Sequence, residues 1–198
     1  MTMRLIVITT PDFRPDEAKV IPRLLDEGID RVHLRKPGAA DTDLRRLIEA
    51  LPAELYPRLT LHDDLPLATE YGLGGVHLNG RNPEPPDGFR GLVSRSCHTF
   101  DETASCPRED YLFLSPIFDS ISKHGYRAAF SEAALREAAA RGVLGERVYA
   151  LGGVEPGLLP RVKEYGFGGA ALLGAVWRDT SPEGLRTTLA ALRKYMNE

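Results

Sequence analysis

Hydrophobic positions in this chain come in two patterns. The first is a set of short, nearly continuous apolar runs: RLIVITT (4–10), RVHLRK (31–36), RLTLHD (58–63), GVHLN (75–79), LVSRSCH (92–98), YLFLSPI (111–117), RVYALGG (147–153) and GGAALLGAV (168–176). Continuous hydrophobicity over so few residues predicts strands covered on both faces, as in a parallel sheet. The second is a longer pattern with a period near 3.6, which predicts helices over 16–28, 41–55, 130–142, 155–166 and 182–198. Residues 65–72 and 101–106 allow only short helices. The Gly- and Pro-rich stretch 80–91 reads as loop. Asp41 and Asp43 are expected to cap the second helix, and Gly142 and Gly166 to end later ones.

Strand and helix thus alternate eight times. In 198 residues this predicts a single α/β domain, a (β/α)8 TIM barrel spanning 1–198 and small for that fold. An open doubly wound sheet alternates in the same way. The count of eight and the lack of an early glycine fingerprint favour the barrel.

Composition narrows the function. A hydrophobic share of 42% supports a real core, and a net charge of −3 argues against a general nucleic-acid binder. No apolar run is long enough to span a membrane, and the first residues lack the pattern of a signal peptide. Cys97 and Cys106 lack metal-site spacing and suggest free thiols in a reducing cytoplasm.

In a barrel the chemistry sits where strands end, and here those ends are polar. The second strand closes on His33, Arg35 and Lys36, with His33 and Arg35 on one face. The third closes on His62, Asp63 and Asp64, and the fourth on His77 and Asn79, with Asn82 beyond. The fifth carries Ser94, Ser96 and His98. The sixth runs into Ser120, Ser122 and Lys123, two hydroxyls and a cation followed by Gly125, which suits an oxyanion. Any one cluster is as well explained by packing, helix capping or solvation; together, at one end of successive strands, they predict a site. The last two strands close on Gly152-Gly153 and Leu173-Gly174. The loops after strands 7 and 8 are the usual barrel phosphate site, and glycine lets an anion reach the main chain.

These elements resemble the family of thiamine phosphate synthase and the related thiazole tautomerase. Six pieces match in order: HLRKP (33–37) for Q-L-R-x-K; LHDDLPLA (61–68) for I-N-D-R-x-D-L-A; GVHLNGRN (75–82) for G-V-H-L-G-Q-x-D; SRSCH (94–98) for G-x-S-x-H; SPIFDSISK (115–123) for G-P-I-F-x-T-x-T-K; and the closing ALGGV and GAALLGAV. The resemblance implies a (β/α)8 transferase that joins hydroxymethylpyrimidine diphosphate to a thiazole phosphate and releases pyrophosphate. It implies that Arg35 and Lys123, with Lys36 in support, neutralise the pyrophosphate, that Ser96, Ser120 and Ser122 supply hydroxyls to it, and that Asp63 is a ligand for Mg²⁺. His33 and His62 stand where the family has a glutamine and the asparagine that contacts the pyrimidine. Gly153, Leu173 and Gly174 would offer amides to the thiazole phosphate.

The family's second magnesium carboxylate falls on Asn82, and its lysine is displaced to Lys36. These departures keep two alternatives open: a metal-independent thiazole tautomerase with His98 as acid and base, and a non-catalytic binder of thiazole phosphate. Another phosphate-binding barrel, such as a sugar-phosphate isomerase, would share only the closing glycines. The expected partners are small phosphorylated substrates, with no nucleic acid and no membrane. Oligomeric state is left open, a homodimer being one expectation.

Overall fold

A computed structural model of the chain describes residues 3–119 and 128–196. Eight parallel strands form a closed barrel in sequence order. They are β1 (Arg4–Ile8), β2 (Arg31–Leu34), β3 (Leu59–Leu61), β4 (Gly75–Leu78), β5 (Leu92–Cys97), β6 (Tyr111–Leu114), β7 (Val148–Ala150) and β8 (Gly169–Leu172). The ring closes where β1 pairs with β8, from Arg4 opposite Gly169 to Val7 opposite Leu172. The expected TIM barrel is what the chain forms, and the open sheet is excluded.

The helices are α1 (Glu17–Asp26), α2 (Asp41–Glu49), α3 (Pro66–Tyr71), α4 (Phe100–Ala104), α5 (Glu132–Ala140), α6 (Leu159–Glu164), α7 (Gly174–Trp177) and α8 (Pro182–Met196). None is long and apolar enough to cross a membrane. Residues 79–91 form no helix or strand, as the Gly and Pro content predicts.

Strand alternation sorts the apolar residues into two layers. Leu5 and Val7 face outward into the core between barrel and helices, with Val32, Leu34, Leu112 and Leu172. Ile6 and Ile8 face inward, packing with Tyr111, Phe113 and Ala171 inside the barrel. The buried polar residues His33, Thr60, His77 and Ser94 alternate out of the outer layer in the same way.

Three boundaries differ from the sequence reading. The helix expected over 41–55 stops at Glu49 and resumes as a 3₁₀ turn, Ala53–Arg58; Pro52 disfavours helical backbone at the residue before it. Asp41 and Asp43 are not caps. Ala40 is the cap residue, and the two carboxylates sit in the first turn, where they favour the helix dipole and pair with Arg45 and Arg46. The last strand ends at Leu172, because Leu173 breaks the extended path with φ −132° and ψ −77° and α7 begins at Gly174. Gly142 and Gly166, by contrast, follow α5 and α6 with φ of 73° and 82°, as expected of helix-ending glycines.

Candidate active site

A cavity of about 540 Å³ opens among the C-terminal ends of the strands, lined by Arg35, Ser96, His98, Gly153, Leu173 and Gly174 among others. The barrel therefore gathers six of the expected residues from four different strand ends. A larger cavity, about 670 Å³, lies at the opposite end around Arg4, Asp30 and Phe167. It has none of the polar strand tips, and barrel chemistry belongs at the other face.

The glycines shape one wall. Gly152 and Gly153 have φ of 93° and 65°, in the left-handed region. The peptide after β6 crosses them closely: Ile117 N–H donates to Leu151 O and Phe118 N–H to Gly152 O, each at 3.0 Å. A Cβ on Gly153 would lie 2.4 Å from the Asp119 carbonyl oxygen. Gly174 opens α7, whose first amides have no acceptor within the helix. The Trp177 indole N–H donates to Ile8 O at 2.8 Å, which ties this turn to the end of β1.

Polar groups line the same cavity. Arg35 lies just past β2, and only its backbone has hydrogen-bond partners among the described residues, through Thr9 Oγ1 at 2.9 Å and 3.4 Å. A half-buried guanidinium in a cavity, without a carboxylate partner among the described residues, has the chemistry to receive an anion. His98 Nδ1 is 3.1 Å from the Ser115 carbonyl oxygen. A carbonyl only accepts, so in the neutral ring the proton sits on Nδ1 and Nε2 keeps a lone pair, the arrangement a general base needs.

Behind Ser96 lies a histidine cluster. His33 Nδ1 is 2.8 Å from His62 Nε2, and His33 Nε2 is 2.6 Å from the Tyr111 hydroxyl. His77 reaches Ser94 Oγ at 2.8 Å and Ser96 Oγ at 2.9 Å, and stacks on His62 at 4.1 Å. Burial is the main reason all three titrate below the ordinary histidine range, His77 at about 3. The positive charges of Arg35 and Arg81 push His62 further the same way. One ring nitrogen from each lies within 4.8 Å of the others, a spacing a transition metal tolerates. Both nitrogens of His33 and of His77 are already hydrogen-bonded, so as it stands the cluster is a neutral polar core.

Asp63, at the end of β3, is 9% exposed. Its Oδ1 accepts from Arg81 Nη2 at 2.5 Å and Nε at 3.1 Å, while its buried Oδ2 has no hydrogen-bond partner. Asp64 beside it holds φ 53°, a left-handed conformation that Asp tolerates better than most non-glycine residues. An orphaned carboxylate oxygen fits a hard cation arriving with a phosphorylated ligand. The Asn82 amide donates to His62 O at 3.3 Å and adds no negative charge.

Two groups of expected residues stand elsewhere. Lys36 was expected to support the pyrophosphate, but its side chain is fully buried on the far side of β2. Its ammonium donates to Glu17 Oε1 at 2.5 Å, Thr10 O at 2.9 Å and Asp12 O at 2.8 Å, leaving no N–H for a ligand. His33 and His62, with no more than 4% exposure, are packed into the barrel rather than into the cavity wall. Ser120, Ser122 and Lys123 lie outside the described residues. Sequence reasoning missed Tyr111, Glu17 and Arg81. Tyr111 was legible as the inward partner of Phe113 in an alternating strand; Glu17 and Arg81 read as ordinary surface charges.

Neither cysteine is paired, and burial pushes the Cys97 thiol up to about 12, so it is no nucleophile.

Residues 5–176 match the family model described as thiamine monophosphate synthase. A thiamine-phosphate synthase of Thermus thermophilus is 32% identical over 200 residues, covering 92% of this chain and 93% of that protein. Another, of Parasynechococcus marenigrum, is also 32% identical over 91% of this chain, which spans about half of that longer protein (53%). Among solved structures, the thiamine phosphate pyrophosphorylase of Bacteroides thetaiotaomicron superposes with a TM-score of 0.87 at 36% identity, covering 98% of this chain and 97% of its own. With most of the barrel matched and full-length relatives this similar, the chain belongs to the thiamine monophosphate synthase family.

Proposed function

We propose that this chain is a thiamine-phosphate synthase, joining hydroxymethylpyrimidine diphosphate to thiazole phosphate. The observation that carries the reading is a single cavity lined both by Arg35, whose guanidinium has no partner among the described residues, and by the Gly153 and Gly174 main chain. Two phosphorylated substrates need two such anion-binding walls facing one reaction space.

In the reaction the bond from the pyrimidine methylene to the diphosphate oxygen breaks, and its electron pair leaves with the diphosphate. The thiazole nitrogen donates its lone pair to that methylene carbon, and a C–N bond forms. Arg35 neutralises the charge that grows on the departing oxygens, and Ser96 Oγ hydrogen-bonds to it. The amides of Gly153, Leu173 and Gly174 hold the thiazole phosphate so that its nitrogen lies in line. Asp63 Oδ2 is the atom that would hold Mg²⁺. When bound, the ion supplies positive charge to the diphosphate. Lys123, Ser120 and Ser122 are assigned to the same diphosphate by their motif. The free thiols agree with a reducing cytoplasm.

One observation supports a second reading. His98 lines the cavity with Nδ1 held by the Ser115 carbonyl, which in the neutral ring leaves Nε2 for proton transfer on a thiazole carboxylate phosphate. The deciding experiment incubates the purified protein with both synthase substrates and Mg²⁺. Thiamine phosphate is the expected product, and Arg35→Ala lowers its rate by about 10²-fold or more, in line with loss of a charge-stabilising donor. A silent synthase assay with isomerisation abolished in His98→Ala assigns the tautomerase instead.

A further inference from the structure

Besides His98, the charged or titratable residues that line the cavity, among those described, are Arg35, Glu155 and Arg178. Arg35 is assigned to the diphosphate, and the reaction scheme above uses neither of the other two. They join the two glycine loops. Glu155 lies just beyond Gly153 and Arg178 just beyond Gly174, and Arg178 Nη2 donates to Glu155 Oε1 at 2.6 Å. Neither side chain serves its own element. Glu155 precedes the 3₁₀ turn Pro156–Leu158, yet its carboxylate does not cap that turn. Arg178 follows α7 and its N–H donates to Gly174 O at 3.1 Å, while its guanidinium turns to the neighbouring loop. Each partner follows an anchored residue. Val154 is buried, and Trp177 is buried with its indole N–H on Ile8 O at 2.8 Å.

The charges then decide what this wall prefers. A phosphate held by the Gly153 and Gly174 main chain meets a carboxylate lining the same cavity, and the two repel. The ion pair that neutralises Glu155 is weak, because Arg178 is 59% exposed and Glu155 32%. A phosphate carries more charge than a carboxylate and offers more oxygens to a guanidinium fork. It is the stronger partner for Arg178.

We propose that Arg178 is a phosphate-binding residue of the glycine wall and that Glu155 is its counter-ion in the absence of ligand, so that the substrate's phosphate takes the guanidinium over from the carboxylate. The proposal rests on the synthase reading for the identity of the ligand. Its test is calorimetric titration of the full chain with thiazole phosphate and with the same thiazole lacking its phosphate. Arg178→Gln weakens thiazole phosphate binding about tenfold or more, as expected for a charge-assisted contact, and leaves the unphosphorylated thiazole unchanged. Arg178→Lys, keeping the charge but not the fork, gives an intermediate affinity. Glu155→Gln tightens thiazole phosphate binding about two- to fivefold, the amount an exposed ion pair withholds. In the synthase assay Arg178→Gln raises KM for thiazole phosphate and leaves kcat unchanged, because the contact is remote from the bond that forms. Thermal melts confirm that each variant is folded. The proposal is overturned if Arg178→Gln binds thiazole phosphate like wild type, if it weakens both thiazoles alike, or if Glu155→Gln loosens thiazole phosphate binding. A silent synthase assay alongside Arg178-dependent thiazole phosphate binding overturns the reaction assignment and leaves this site standing; an active synthase whose affinity ignores Arg178 does the reverse.

Discussion

Replacing Lys36 with methionine separates a structural cation from a binding one. The Lys36–Glu17 pair is sealed, with side-chain exposures of 0% and 1%. Methionine fills nearly the same volume, so the dominant effect is the Glu17 carboxylate, left buried without its ammonium. Removing one member of a buried pair costs about 3–5 kcal/mol. The Thr10 and Asp12 carbonyls also lose a donor, but both residues are partly open to water and contribute little more. For a chain of this size 1 kcal/mol shifts Tm by roughly 2–4 °C, so the variant should melt about 6–20 °C lower. Lys36→Met combined with Glu17→Leu removes both charges and should regain most of that loss. Thermal denaturation by circular dichroism reads the effect. Pyrophosphate titration at a temperature where the single variant is folded should give an unchanged affinity. A Tm within 2 °C of wild type, or a tenfold loss of pyrophosphate binding in the folded variant, refutes the reasoning; the latter would return Lys36 to the ligand.

Two further outcomes follow from the site. Gly153→Ala places a side chain at φ 65° with its Cβ 2.4 Å from a backbone oxygen. The left-handed conformation alone costs about 1–2 kcal/mol, and the clash displaces the peptide after β6. Lower Tm together with weaker thiazole phosphate binding is expected, the latter read by fluorescence of Trp177, the chain's single tryptophan. Unchanged binding would remove Gly153 from the phosphate site. Acid should destabilise the fold through the histidine cluster. Below pH 6.5 the unfolded chain binds protons that folded His33, His62 and His77 refuse, because their pKa values are depressed, that of His77 to about 3. Stability is therefore intact above pH 6.5 and declines as pH falls toward 3, by about 1.4 kcal/mol per pH unit for each histidine well inside that window. Urea unfolding at pH 7 and pH 5 should show a smaller drop for His77→Gln than for wild type; equal drops contradict the buried, neutral assignment.

The barrel was legible because its strands are covered on both sides and so lack polar interruptions: RLIVI, YLFL and GAAL could hardly be anything else. Element ends were less legible. GAALLGAV reads as one run, yet the break at Leu173 comes from backbone geometry that hydrophobicity does not encode. In the site, the glycines and Arg35 were found because they follow strand ends. Lys36, the very next residue, has the opposite fate because strand alternation turns it toward α1, where a partner nineteen residues earlier awaits it. Nothing local marks Glu17 as that partner. Arg81 was hidden for a similar reason, since only the fold of the 79–82 turn reveals which carboxylate it meets.

The seam between β1 and β8 has a consequence for how the molecule is made. Its hydrogen bonds join segments from nearly opposite ends of the polypeptide, so a large loop must close before the ring exists. The mouth that gathers Arg35, Ser96 and Gly174 cannot be assembled on a partly synthesised chain. Affinity for a phosphorylated ligand is thus acquired in one late event, and ligand present during refolding can stabilise only molecules that have already completed the circle.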